Sequence, residues 1–146
     1  MKTKASNWFL CKVRYDKNME DGGKKRVTEQ YVVEAMSFTE AEVNIMQEMM
    51  SRTVGDLDVV EIDRCSFKEM ISDSGEKWYK AKVYFILLDE KSDKEKKTPV
   101  YYLVDGTSLE SARKNIDAAM SGTIADYEIA SVSETKIIEV FENEIR

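Results

Sequence analysis

The chain is written twice. Asn7-Trp8-Phe9-Leu10-Cys11-Lys12-Val13-Arg14-Tyr15 returns about 70 residues later as Lys77-Trp78-Tyr79-Lys80-Ala81-Lys82-Val83-Tyr84-Phe85. Tyr31-Val32-Val33-Glu34-Ala35 returns as Tyr102-Leu103-Val104-Asp105-Gly106, and Ser51-Arg52-Thr53-Val54-Gly55-Asp56 as Ser121-Gly122-Thr123-Ile124-Ala125-Asp126. The ends also correspond: Phe67–Ile71 against Ile137–Phe141. Order and spacing are kept, with a one-residue slip near Ser37. A duplication of this length means one supersecondary unit used two times. We therefore expect repeats at 1–75 and 76–146. A 70-residue unit buries a marginal core by itself, so the two are expected to pack as one globular unit about an approximate twofold axis.

Each repeat opens with a strand. Phe9, Cys11, Val13 and Tyr15 alternate with Trp8, Leu10, Lys12 and Arg14, the period of a pleated strand with one apolar face. Tyr79, Ala81, Val83 and Phe85 are the partners in the second copy. A second strand follows at about Val27–Ala35 and Val100–Asp105, joined by a hairpin. Asp21-Gly22-Gly23 supplies the turn in one copy, the charged stretch Asp89–Lys97 in the other. Pro99 is expected to start its strand, where its missing N–H costs least.

A helix comes next. Ser37 with Glu40, and Thr107 with Glu110, have capping-box spacing. Phe38, Ala41, Ile45 and Met49 form an apolar stripe, repeated by Leu109, Ala112, Ile116 and Met120. Gly122 is placed to stop the second helix. Leu57–Ile62 and Ser66–Ile71 close the first repeat, Tyr127–Val132 and Lys136–Phe141 the second. Each pair reads as two strands around a turn, or as one long strand with a bulge. The expected class is α+β, two ββαβ(β) units of mostly antiparallel sheet with one helix each.

Composition excludes several chemistries. With no histidine among 146 residues, there is no Ser-His-Asp or Cys-His machinery and no imidazole metal site. Two cysteines cannot build a four-thiolate zinc site or a disulfide scaffold. Cys11 and Cys65 are expected as free thiols in a cytoplasmic protein. No apolar run is long enough to span a membrane, and the polar start Met1–Asn7 resembles no signal peptide. The net charge of −6 argues against a general nucleic-acid coat but leaves room for a local basic face.

The candidate binding face is the outer side of the first strand in each copy: Trp8, Lys12 and Arg14, then Trp78, Lys80 and Lys82. Aromatic and basic side chains alternating on one face suit base stacking and phosphate contact. The basic clusters Lys24-Lys25-Arg26 and Lys96-Lys97 could extend it. Packing is the competing reading, because lysine stems cover apolar surface while their heads stay in water. A second candidate is acidic: Asp56 and Asp58, with Asp126 and Glu128, could offer oxygen ligands to Mg²⁺ or Ca²⁺, although no ligand-loop pattern surrounds them. A thiol nucleophile would need exposure and a charged partner, and neither cysteine is matched in the other copy. The runs Lys91–Lys97 and Glu139–Arg146 read as solvated surface.

At Asn7–Tyr15, Ser37–Glu42, Lys77–Lys82 and Thr123–Val132 the chain resembles an uncharacterised family of small proteins from gut Bacteroidetes and their phages or mobile elements. The resemblance spans nearly the whole chain. It implies a domain of unknown function and brings no activity, cofactor or catalytic residue with it. The expectation from residues and resemblance together is a non-enzymatic binding or interaction protein, monomer or homodimer, without cofactor or membrane attachment. Its partner is a protein, or a nucleotide or single-stranded nucleic acid held on the Trp/Lys faces. The alternative class is a metal-dependent enzyme built on carboxylates.

Overall fold

The computed structural model describes residues 1–143. Its elements run β1 (Lys2–Ala5), β2 (Trp8–Asn18), β3 (Lys24–Glu34), α1 (Phe38–Met50), β4 (Leu57–Arg64), β5 (Glu69–Ser72), β6 (Lys77–Asp89), β7 (Lys94–Gly106), α2 (Leu109–Met120), β8 (Asp126–Glu134) and β9 (Ile137–Phe141). This is an α+β protein with the same strand–strand–helix–strand–strand order in each repeat, preceded in the first by the short β1. The last three residues of the charged run Glu139–Arg146 lie outside the described residues.

Two sheets form. One has the order β4-β2-β3-β9, the other β1-β5-β7-β6-β8. In each, the long hairpin of the repeat is antiparallel, β2 with β3 and β6 with β7, and β4 or β8 pairs antiparallel on its outer side. The last strand behaves differently. β5, from the first repeat, runs parallel to β7, and β9, from the second repeat, runs parallel to β3. The compact units are accordingly interleaved: Met1–Ala5 goes with Ser66–Thr135, and Ser6–Cys65 goes with residues 136–143. The expected boundary at 75/76 divides the sequence repeats; the compact units follow another partition, because each repeat hands its last strand to the other repeat's sheet. It also decides the open question about the closing segment. β4 and β5 are separate strands in different sheets, as are β8 and β9.

Each unit has its own core, where one helix covers one sheet face. In the first, Ala41, Ile45 and Met49 of α1 lie on Phe9, Cys11, Val13, Tyr31 and Val33, with Phe141 of β9 completing the floor. In the other, Ala112, Ile116 and Met120 lie on Tyr79, Ala81, Val83, Tyr102 and Val104, with Ile71 of β5 in the matching place. Ile45 and Ile116 have no exposed surface; cutting either to alanine would cost about 2–5 kcal/mol in lost transfer energy and cavity. Phe38 and Leu109, expected in the stripe, are 45% and 50% exposed. Each is the first residue of its helix, and the sheet lies under the later turns.

Helix starts follow the capping rule with one correction. The Ser37 hydroxyl accepts from the Glu40 N–H at 3.1 Å. In the second copy the cap is Ser108, not Thr107, and its hydroxyl accepts from the Ser111 N–H at 3.1 Å. The slip near Ser37 lies before the cap, so serine aligns with serine. After α2 the chain turns at Gly122, with φ +87°, a conformation glycine adopts without a Cβ clash. Pro99 lies inside β7 opposite Tyr84, and β7 pairs with β5 only at Tyr102–Val104. The proline therefore sits where only one side of the strand is occupied.

The end of each exchanged strand is caught by a carboxylate. Asp105, 1% exposed, accepts from the Ser72 hydroxyl at 2.6 Å and the Asp73 N–H at 2.7 Å. Glu34, at the matching position, accepts from the Ser6 hydroxyl at 2.5 Å and the Asn143 N–H at 2.8 Å. Asn115 and Asn44 each donate their side-chain amide to the backbone carbonyl of the same acid, at 2.8 and 3.2 Å. Past Asp73 the chain presses on the end of β7: a Cβ on Gly75 would lie 2.4 Å from the Gly106 nitrogen, closer than any side chain allows.

Candidate functional site

The outer face of each sheet, away from its helix, carries the residues singled out for binding. Strand alternation puts Trp8, Leu10, Lys12 and Arg14 there in β2, and Trp78, Lys80, Lys82 and Tyr84 in β6. The two tryptophans are not available for stacking. Trp8 is 3% and Trp78 8% exposed. Each also holds the chain where the neighbouring edge strand ends: the Trp8 carbonyl accepts from the Cys65 N–H and the Trp78 carbonyl from the Thr135 N–H, both at 2.9 Å. Both side chains are buried, which corrects the expectation of paired stacking platforms.

The basic residues divide by copy. On the first sheet Lys12 and Arg26 are paired with carboxylates, and Arg14 with a hydroxyl. Lys12 reaches Glu61 of β4 at 2.8 Å. The Lys12 ammonium, and after it a hydrogen bond with Asp63, holds the Glu61 carboxyl below its ordinary range. Asp63 is pushed up, first by its hydrogen bond with Glu61, then by burial. Arg26 spans Asp58 at 2.8 Å and Asp16 at 3.4 Å. Arg14 donates from Nε to the Thr28 hydroxyl at 3.2 Å.

On the second sheet the positions of Glu61 and Asp63 are Ser131 and Ser133, and that of Gln30 is Tyr101. Lys82 stands opposite Ser131 on one side and Tyr101 on the other; Lys80 stands opposite Ser133 and Leu103. Among the described residues no carboxylate forms an ion pair with Lys80 or Lys82. Instead the ammonium of Lys82 lies 5.0 Å from the centre of the Tyr84 ring and 5.9 Å from that of Tyr101, and that of Lys80 lies 5.9 Å from the Tyr101 ring. Lys97, 5.8 Å from the Tyr84 ring, is shared with Glu128 at 3.2 Å. The Tyr84 side chain, then Tyr101, raises Lys82 above the ordinary lysine range, so it stays charged. Lys80, Ala81, Lys82, Tyr101, Ser131 and Ser133 line a shallow cavity of about 240 Å³. Of these, Tyr101, Ser131 and Ser133 escaped the sequence reading. Their signal was the mismatch between copies: a glutamine and two acids in one, a tyrosine and two hydroxyls in the other.

The other candidates find different uses. Asp58 is engaged by Arg26 and Glu128 by Lys97. Among the described residues no three Asp, Glu or Cys side chains converge as a metal would need. Cys11 is free and fully buried, and burial pushes its thiol up to about 12, which removes it as a thiolate nucleophile. Cys65 is free and half-buried.

The chain belongs to the family described as "Domain of unknown function (DUF4494)", whose model matches residues 7–143. No curated protein and no solved structure matches it significantly. Among the described residues no helix is long and apolar enough to cross a membrane.

Proposed function

We propose that this is a non-enzymatic binding protein that holds a short stretch of single-stranded nucleic acid on the outer face of β6, β7 and β8. The observation that carries the reading is the pair Lys80 and Lys82, set beside the Tyr101 and Tyr84 rings and two serine hydroxyls, with no carboxylate partner among the described residues. Unpaired ammonium groups supply phosphate contact, tyrosine rings supply a stacking surface, and hydroxyls bond phosphate or base edges. The protein's overall negative charge keeps such binding local and weak. The first repeat, whose equivalent lysine is tied to Glu61, takes no part.

The test is fluorescence anisotropy with labelled single-stranded DNA and RNA at several salt concentrations. Two phosphate contacts predict a slope of log K against log salt of about −1.4, at about −0.7 per contact for single strands. A flat salt response, or no binding at low salt, overturns the reading. We further propose a cytoplasmic setting in gut Bacteroidetes or their phages or mobile elements, in keeping with the resemblance above. The genes flanking this one test that origin, and sedimentation distinguishes monomer from homodimer.

A further inference from the structure

The first repeat offers a different surface. β4 is the terminal strand of its sheet. It pairs with β2 on one side, and among the described residues no strand pairs with the other. An edge strand presents a row of N–H and C=O groups that another extended chain can match. Beside this edge lies a cavity of about 370 Å³ between the start of α1 and β4, lined by Phe38, Thr39, Glu42, Val59, Val60, Glu61 and Ile62. Val60 sits at the bulge of the strand and is 43% exposed. Phe38 is fixed as the apolar wall. Its ring meets Phe9 edge-on at 5.0 Å, and the Arg64 guanidinium lies 5.1 Å from both rings.

The surroundings are acidic. Glu42 lines the cavity from the helix, Glu61 and Asp63 on the strand share a hydrogen bond, and the basic groups beside these three acids are the Lys12 ammonium on Glu61 and the Arg64 guanidinium on Phe38. The corresponding residues of the second repeat are Arg113, Ser131 and Ser133, and Ala130 stands for Val60. The combination of apolar seat and negative rim therefore belongs to one copy only.

We infer that this edge docks a basic, extended peptide segment of a partner protein, which adds a strand to β4 and seats one apolar side chain against Phe38, Val60 and Ile62. The main chain supplies the pairing, the cavity selects the apolar residue, and the acids select its lysine or arginine neighbours. This surface is independent of the nucleic-acid reading.

An array of random heptapeptides probed with the full-length protein tests it. Retained peptides should carry lysine or arginine around one central apolar residue. Binding of the best of them should fall about ten-fold or more in Val60→Lys, which puts a charge at the edge, and in Glu42→Lys, an exposed helix position. Methylation of alternate peptide amides should abolish it, while Lys82→Glu should leave it intact. Amide shifts should move at residues 58–64. An array that retains nothing, or retained peptides that ignore both substitutions and the methylation, would overturn the inference.

Discussion

Replacing Asp105 by alanine probes how the exchanged strand β5 is held. The carboxylate is 1% exposed and accepts two short hydrogen bonds, from the Ser72 hydroxyl and the Asp73 N–H. Hydrogen bonds to a charged group contribute about 1.5–3 kcal/mol each. Ser72 is half-buried and Asp73 exposed, so water can reach the abandoned donors and the lower figure applies. Two bonds then give about 3 kcal/mol. For a chain of this size that corresponds to about 6–12 °C in Tm, at about 2–4 °C per kcal/mol. Asp105→Asn keeps the shape and one acceptor oxygen, and should lose about half as much. Urea unfolding at constant m-value measures the loss. Native-state hydrogen exchange locates it, because the amides of Met70–Ser72 should lose protection before those of β6. A loss below about 0.5 kcal/mol, the range of an ordinary surface substitution, would refute the reasoning. So would protection lost evenly across the chain.

Three further outcomes follow from the same structure. Tyr15 and Tyr31 both donate to Glu29, at 2.5 and 3.0 Å; burial first, then Glu29, pushes Tyr15 up to about 12 and Tyr31 upward as well. A raised tyrosine favours the neutral form in the fold, so this contribution is whole below about pH 10, the free tyrosine value, and is lost as pH rises toward 12. Absorbance at 295 nm should show Tyr15 ionising late, with the late step smaller by one tyrosine in Tyr15→Phe. Cys11 should resist a disulfide exchange reagent until the protein unfolds, since its thiol is buried and its proton tightly held; prompt reaction in Cys65→Ser would contradict this. The fragments 1–75 and 76–146 each lack a strand of their own sheet, β9 in one case and β5 in the other. Each should give a poorly dispersed amide spectrum alone and a native-like one on mixing; two well-dispersed spectra unchanged by mixing would show that the exchange is dispensable.

Much of the architecture can be read locally. The alternation of Phe9, Cys11, Val13 and Tyr15 marks β2, and the spacing of Ala41, Ile45 and Met49 marks α1, because both patterns are dictated by a single face of a single element. Strand exchange is not local. Glu69-Met70-Ile71-Ser72 has the same pattern whichever sheet it joins, and the partners that hold it, Tyr102–Val104 and Asp105, lie more than thirty residues away in sequence. β1 escaped notice because Lys2-Thr3-Lys4-Ala5 is short, polar and at an edge. The tryptophans misled for a related reason: position on the outer face does not reveal cover, and both are buried. Lys80 and Lys82 were legible as basic positions on β6, whereas Lys12 and Arg14 looked equivalent to them until Glu61 and Thr28 appeared beside them. What separates the copies lies on other strands, at Gln30 against Tyr101 and Glu61 against Ser131, and only the sheet register brings those differences to the lysines.

The two repeats share a fold and differ in the partners of their lysines, and the proposed function puts the anionic ligand on the second sheet alone. Parallel titration of single-stranded DNA with Lys82→Glu and Lys12→Glu tests this most directly. Lys82→Glu should weaken binding and flatten the salt slope by about 0.7, the value of one phosphate contact. Lys12→Glu should leave both unchanged. Equal losses in the two variants, or a loss confined to Lys12→Glu, would contradict it.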